Sequence, residues 1–457
     1  MNRLACWISI AVLAMCGLGN ASEATAQAPG YRARLDSLFT VLEVHDRMMG
    51  TVTVRRAGRV VYQRSLGASD SAHNGWRRAD EATMYRVGSV TKPLTAAMIY
   101  QLVDEGRLTL DTRLSRFFPA LPGADAITLR DLLGHTSGLH EYAVEMDPAV
   151  PLTRDSLLRR IAARPPQFAP GTARRYSNSN YLLLGYILEN VTVSSYAEQL
   201  RRRIATRVGL RRTRVGGAVR PERNEARSYY FADGHWALQP DQAPENAGGA
   251  GAIVSTTADL TRFLAALFER GLISADGVRE MTNGFVDGER RSGKGLSPFS
   301  IPGAGRRGFS HDGSTGAFTA LVGYVPDDSL ALALTINGHN YPQNRIFFHV
   351  WDILYGVARP LPGFTLVPLT EVAAAALPGV YAADAYGLTI TVRRVGTRLE
   401  AQTEGQAPFP LVHIGQNRFV HEHEGILIEF AEPIDGVAPG FTLFQQRVQI
   451  PLVRRRP

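Results

Sequence analysis

The sequence predicts an α+β protein: an antiparallel sheet built from both ends of the first 360 or so residues, helices between, then a small all-β region. Three observations carry this. Thr51–Arg56 and Val60–Arg64 alternate around Ala57-Gly58, the pattern of a β-hairpin. Strand-like runs return late, at Thr319–Val325 and Leu330–Ile336, joined by Pro326-Asp327-Asp328, with helical patterns in between. After Pro360-Leu361-Pro362-Gly363 the texture changes. From about residue 376 there are only short β-like runs at Leu388–Val392, Arg398–Gln402, Arg418–His421, Ile426–Phe430 and Thr442–Gln445. Gly, Pro, Asn and Asp turns space them, so they predict a small separate β-barrel or sandwich.

In chain order, residues 1–26 come first. Arg3, an apolar stretch from Leu4 to Leu18 and a small-residue run ending Ala24-Thr25-Ala26 read as a secretory signal peptide cut after Ala26. The apolar run is short for a bilayer span, and no later segment is long and apolar enough to be one. Both cysteines, Cys6 and Cys16, fall inside the signal, so the mature chain has no disulfide and no cysteine nucleophile. Met15 stands where a lipoprotein cleavage site at Cys16 needs a small residue.

The 457 residues suit two or three domains, and 45% hydrophobic with 20% charged residues is ordinary for a soluble protein. The net charge of +8 would favour anionic envelope polymers or membrane surfaces. Arg201-Arg202-Arg203 and Arg454-Arg455-Arg456 carry no interleaved aromatics and read as a solvated helix face and a tail, not a nucleic-acid surface. A helix is expected from near Ser89 to Glu105, stopping at Gly106, with Pro93 tolerated in its first turn. Further helical patterns run over Leu129–Leu133, Tyr181–Asn190, Ser195–Ile204, Ala258–Phe268 and Ile346–Tyr355.

The chemistry begins at Ser89-Val90-Thr91-Lys92. Lys92 is one of only two lysines in the chain; nearly every other cation is arginine. Arginine stays protonated, whereas a buried lysine can lose its proton and act as a base. A serine three residues before it on a helix shares its face, the arrangement a hydroxyl nucleophile and its proton acceptor need. Three further elements accompany it: Tyr176-Ser177-Asn178 ahead of the helix at Tyr181, His311-Asp312-Gly313 ahead of the β-run at Phe318, and Leu132-Leu133-Gly134-His135-Thr136-Ser137-Gly138-Leu139. The second suits an edge strand beside the site. Taken alone, Asn178 reads as a helix N-cap, Tyr176 as a packing aromatic and His135 as a turn residue. No G-x-S-x-G nucleophile elbow occurs. His421-Glu422-His423-Glu424 places two histidines on one strand face with no third ligand evident, so no metal is assigned.

Together these motifs resemble the serine β-lactamase and penicillin-binding-protein superfamily, and within it the class C β-lactamase, D-Ala-D-Ala carboxypeptidase and esterase branch. That branch carries S-x-x-K, Y-x-N and K/H-x-G in this order. Gly248-Gly249-Ala250 leading to Ser255–Leu260 also looks like its punctuation. The resemblance covers about residues 35–360, and the tail from about 366 resembles the lipocalin-like domain often appended to such hydrolases. After the signal peptide read at 1–26, it implies a β-lactamase/transpeptidase-like domain at 31–360 (antiparallel sheet flanked by helices plus an all-helical region) and a lipocalin-like β-barrel at 366–455.

The implied roles follow residue by residue. Ser89 is the acylated nucleophile, Lys92 its general base, and Tyr176 shares that proton and delivers it to the leaving group; which of the two is the base stays open. The backbone N–H groups of Ser89 and Ser314 form the oxyanion hole, while Asn178, His311, Asp312 and Gly313 bind substrate. Class C enzymes have K-T-G where this chain has His311-Asp312-Gly313. An Asp312 carboxylate facing the cleft would repel a substrate carboxylate by ~4 kcal/mol at ~4 Å and surface-like dielectric.

That favours esters, amides or peptides with a free ammonium over β-lactams. The resemblance implies an exported serine hydrolase, periplasmic or extracellular in a bacterium, with no metal or organic cofactor. It would act on a small-molecule ester, peptide or peptidoglycan fragment, with no nucleic acid and no stable membrane span in the mature chain. The alternatives are a penicillin-binding DD-carboxypeptidase or weak β-lactamase, and a non-catalytic envelope-binding or sensor protein on the same scaffold.

Overall fold

The computed structural model describes residues 28–455 apart from 71–75, 145, 233, 288–289, 365–366, 416, 422–425 and 446–447. The expected leader and the Glu422-His423-Glu424 stretch therefore lie outside the described residues. The chain divides into two compact units, one spanning Asp46–Asn340 and the other combining the N-terminal segment to His45 with Tyr341 onward.

The first unit is organised on one eight-stranded sheet. Its main path is antiparallel and holds β1 (Met48–Arg56), β2 (Arg59–Leu66), β3 (Ser297–Ile301), β4 (Arg306–Thr315), β5 (Phe318–Val325) and β6 (Leu330–His339), in the spatial order β3-β4-β5-β6-β1-β2. Off that path the hairpin Tyr229–Ala232 and His235–Leu238 joins β6 through a parallel pair, Gly338↔Tyr229. β1 pairs with β6 in the register Val52↔Leu334, so the two ends of this segment meet at the sheet centre, as the sequence pattern predicts. β5 is buried along its whole length and β6 up to its last residue. Strands buried on both faces read as continuous apolar runs instead of alternating ones, which is why these two are conspicuous in the sequence.

Between β2 and β3 come the helices. α1 (Thr91–Asp104) is buried at every residue from Thr91 to Leu102. Its third residue is Pro93, acceptable there because first-turn N–H groups have no intrahelical partner. α2 (Leu129–Gly134) starts on a Thr128–Asp131 capping box, and α3 (Asn178–Thr192) on a Ser177 cap whose side chain accepts from the Ser179 N–H. α4 (Thr257–Glu269) lies against β1 and β6, where Thr257 and Thr53 hydroxyls meet at 2.6 Å.

The second unit contains a closed eight-stranded barrel: β7 (Gly379–Ala383), β8 (Leu388–Val395), β9 (Arg398–Thr403), β10 (Phe409–His413), β11 (Arg418–His421), β12 (Ile426–Phe430), β13 (Gly440–Gln445) and β14 (Val448–Arg454). Closure runs through Tyr381↔Arg454 and Ala382↔Val453. Eight strands enclose an interior just wide enough for side chains. Here Tyr381, Leu399, Phe419, Ile428, Phe430 and Phe441 cluster as its core. The alternation in these strands reflects one face in that core and one in solvent. Helices Tyr31–Val44 and Gln343–Leu354 belong to the same unit and pack on each other. No helix among the described residues is long and apolar enough to cross a membrane.

Candidate active site

The site forms where the start of α1 meets β4. Ser89 stands in a single 3-10 turn, Gly88–Val90, that feeds α1, so the expected helix begins one turn tighter than an α-helix. Gly88 has φ +48°, and a Cβ there would come within 2.7 Å of the Ser314 nitrogen. A Cβ on Gly313 would sit 2.3 Å from the Val87 carbonyl oxygen and 2.4 Å from the Ser89 nitrogen. Only glycine at both positions lets the turn lie flat against the strand. The backbone nitrogens of Ser89 and Ser314, the expected oxyanion-hole donors, thus belong to the two segments in closest approach.

β4 is second from the sheet edge, yet its outer neighbour β3 pairs only as far as Ser297↔Ser310. His311–Thr315 pair with β5 alone, so the half of β4 beside the site behaves as the expected edge.

Lys92 is fully buried. Its Nζ lies 2.9 Å from Ser89 Oγ, 2.8 Å from Asn178 Oδ1 and 2.9 Å from the Ala250 carbonyl oxygen. A neutral amine has two N–H donors and one lone pair. The Asn178 and Ala250 oxygens can only accept, so they take both N–H groups. The lone pair is left facing Ser89 Oγ, the one neighbour that can donate. Burial pushes the Lys92 ammonium down to about 7, while the carboxylates of Glu141 and Asp312 pull it back up. The other lysine, Lys294, is engaged by Glu280 at 3.0 Å and the Asn283 carbonyl at 2.8 Å.

The Ala250 carbonyl reaches Lys92 because Gly249 packs on α3, where a Cβ would meet the Tyr181 carbonyl at 2.6 Å. Thr95 Oγ1 donates to the Gly249 carbonyl at 2.7 Å and fixes the same turn. Asn178 is free to bond Lys92 because Ser177, not Asn178, caps α3.

Tyr176 is 42% exposed, but its ring covers Lys92, with Nζ 4.8 Å from the ring centroid. Burial raises the Tyr176 hydroxyl above its ordinary range, opposed by its hydrogen bond with Ser89. His135 has left-handed backbone and stacks on Tyr176 at 4.4 Å, while its Nδ1 accepts the Ser177 N–H at 3.2 Å. That turn therefore holds the Tyr176–Asn178 segment in place. Half-buried His311 is pushed down to about 4 by desolvation and by Lys92. Asp312 is exposed and alternates away from Gly313, with its charge felt at Lys92 and Tyr176.

A cleft of about 300 Å³ opens beside Ser89. Its lining includes Ser89, Asn178, Ser314 and Thr315 together with Tyr142, Met146, Ala243, Pro244 and Ala247. Tyr176, His311 and Asp312 are not part of its lining, so they border Ser89 from outside this cleft. Three participants escape sequence reasoning. The Ala250 carbonyl is a backbone atom, and Arg86 on the cleft wall resembles any other arginine. Glu141, which accepts the Asn178 N–H, sits in an irregular segment with no motif around it.

A hydroxyl 2.9 Å from a buried lysine, in a turn apposed to a strand across a glycine pair, is the arrangement of a serine hydrolase site of the S-x-x-K type. Residues 36–347 match the Beta-lactamase family, and the chain belongs to it. It is 30% identical over 268 residues to a Bacillus subtilis (strain 168) penicillin-binding protein, covering 53% of this chain and 57% of the relative. It is 32% identical over 204 residues to esterase EstB of Burkholderia gladioli, covering 40% and 51%. The matches thus span little more than half of either relative. Among solved structures, a D-stereospecific amidohydrolase from Streptomyces sp. superimposes with a TM-score of 0.61 at 25% identity, covering 72% of this chain and 100% of that one.

Proposed function

We propose that this protein hydrolyses esters or D-amino-acid-containing peptides and amides through an acyl-enzyme on Ser89. The observation that carries the reading is the 2.9 Å contact between Ser89 Oγ and a buried Lys92 Nζ whose other two contacts are acceptors. In the first step Ser89 Oγ attacks the substrate carbonyl carbon while its proton passes to the lone pair of Lys92. The carbonyl becomes an oxyanion held by the N–H groups of Ser89 and Ser314, each such donor contributing about 3–4 kcal/mol to the barrier reduction. Collapse expels the alcohol or amine, which takes its proton from Lys92 through Tyr176. Water then attacks the acyl-Ser89 ester by the same route in reverse, releasing the acid and free Ser89.

Relatives named as an esterase, a penicillin-binding protein and a D-stereospecific amidohydrolase support this substrate range. Asn178, His311, Asp312 and Gly313 are proposed to border the substrate, Asp312 disfavouring a carboxylate on the leaving-group side. We assign the chain to the exported compartment on its leader. The segment from about 366 is read as a lipocalin-like appendage to a hydrolase domain at 31–360. The test is turnover of a p-nitrophenyl ester, a D-Ala-D-Ala thioester, a D-amino-acid amide and a penicillin by wild type and Ser89→Ala. Ester or amide turnover lost in the variant is expected. A penicillin preferred over all others would shift the protein to the β-lactamase alternative, and no turnover of any substrate to the binding-protein one.

A further inference from the structure

Arg86 lines the cleft three residues before Ser89, and at 7% exposure it is almost wholly buried. Among the described residues lining the cleft it is the one charged side chain. Its Nη2 donates to the Gly217 carbonyl at 2.5 Å, and its Nε is buried without a hydrogen-bond partner. No ion pair neutralises it among the described residues. Asp241 and Glu245 act on it electrostatically without a close ion pair, and Asp241 lines an adjoining crevice that Arg86, Gln242 and Thr315 also border. A buried guanidinium with one carbonyl partner is under-satisfied, because it has five N–H donors and a full charge.

The remaining polar atoms of the cleft point the same way. Asn246 is used up inside the protein, accepting from the Leu152 N–H and donating to the Val150 carbonyl, both at 2.8 Å. Tyr142 donates its hydroxyl to the Asn246 carbonyl. Thr315 Oγ1 donates to Gln242 Oε1 at 2.6 Å, which leaves the Gln242 amide nitrogen as a donor. Asn178 Oδ1 is taken by Lys92, which leaves its amide nitrogen as a donor too. Among its side chains the cleft therefore offers a ligand two amide N–H donors, the Ser314 hydroxyl and one positive charge, with no carboxylate, between Met146, Pro148, Ala243 and Pro244.

We infer that this cleft is an acyl-group subsite for substrates whose acyl chain ends in a carboxylate, which Arg86 receives. The inference rests on Ser89 being the acylated residue. It separates the two flanks of the site: Asp312 disfavours a carboxylate on the leaving group, while Arg86 favours one on the acyl group. A charge-assisted pair in a desolvated pocket can supply selectivity of tenfold or more.

The test uses the full chain and a series of mono-p-nitrophenyl esters of glutaric, adipic and suberic acids. Each is paired with the neutral p-nitrophenyl ester of equal chain length, and Ser89→Ala supplies the blank for uncatalysed hydrolysis. The leaving group is constant, so only the acyl end differs. At least one acidic ester should exceed its neutral partner tenfold or more in kcat/KM. Arg86→Gln should bring that ratio to about one, and Arg86→Lys should keep part of it. Equal ratios throughout in wild type would overturn the subsite while leaving the hydrolase reading standing. A preference that survives in folded Arg86→Gln would also overturn it.

The wild-type ratio needs no variant, so misfolding of Arg86→Gln cannot mask the answer. Should no ester turn over at all, the Ser89 reading fails. The subsite is then read by calorimetric titration of adipate against 1,6-hexanediol into wild type and Arg86→Lys. Adipate binding weakened in the variant supports the subsite, and no adipate binding to wild type overturns it.

Discussion

The pH dependence of acylation follows directly from the surroundings of Lys92. Burial brings its ammonium from 10.5 down to about 7. At pH 7 about half of the molecules then hold the neutral amine that faces Ser89, against about 1 in 3000 for an unshifted lysine. The difference is about 1500-fold in competent enzyme, or on the order of 5 kcal/mol of differential solvation. The neighbouring groups leave this limb clear, because the Tyr176 hydroxyl is raised above its ordinary range and His311 is pushed down to about 4.

Between pH 5 and 9, kcat/KM should therefore rise about 100-fold along one limb with its midpoint near 7 and then plateau. The assay is initial-rate hydrolysis of a p-nitrophenyl ester, followed at the isosbestic wavelength and corrected for spontaneous hydrolysis. Glu141→Gln removes a carboxylate that raises Lys92, so it should move the midpoint lower. Lys92→Arg should abolish the limb with most of the activity. The sign for stability is the same as for activity: the unfolded lysine holds its proton up to 10.5 and the folded one only to about 7. Lys92 thus contributes rising stability from pH 7 to 10.5, with none of that gain below 7. A flat profile from pH 5 to 9, or one that falls through neutrality, would refute the account of Lys92 as the neutral base.

Four further outcomes are expected. Gly313→Ala would place a methyl group 2.4 Å from the Ser89 nitrogen, so kcat should fall about 10²–10³-fold with little change in KM, read by steady-state kinetics. Tyr176→Phe keeps the ring on Lys92 but removes the proton carrier; kcat should drop about 10²-fold for amides and less for p-nitrophenyl esters, whose leaving group needs no proton. Asp312→Thr should raise acylation by penicillin and by a D-Ala-D-Ala thioester, and an unchanged rate would remove Asp312 from the specificity argument. Phe430→Ala empties a site packed by Tyr381, Phe419 and Phe441 in the barrel core. It should cost about 3–5 kcal/mol in denaturant unfolding.

Much of this was legible in the sequence where one local signal decides the structure. The spacing of Ser89 and Lys92 foretells their contact because a helical turn brings residues three apart together. The apolar runs of β5 and β6 and the turn at Pro326 foretell a hairpin because those strands are buried on both faces. β4 is harder to read: Arg306-Arg307-Gly308-Phe309-Ser310 does not alternate, and the motif after it serves the site instead of the core. The barrel strands β7, β10 and β14 escape for a related reason. They are short or interrupted by Pro410 and Pro451, and only closure with their neighbours gives them a strand's hydrogen bonds.

The helix Tyr31–Val44 has Leu35, Leu38, Phe39 and Leu42 at helical spacing, yet it closely follows the segment whose sequence reads as a leader, and it carries no side-chain cap. Three site contributions are not announced by any motif: the Glu141 carboxylate, brought to Asn178 by an irregular segment, the backbone carbonyl of Ala250, and the burial of Arg86. None can be read before the chain is folded.

The most direct measurement of the central claim is intact mass after brief exposure to each acylating probe, followed by peptide mapping of any adduct. An added acyl mass on the peptide containing Ser89, absent in Ser89→Ala, is the predicted result. An adduct that maps elsewhere, or that persists in Ser89→Ala, would contradict it.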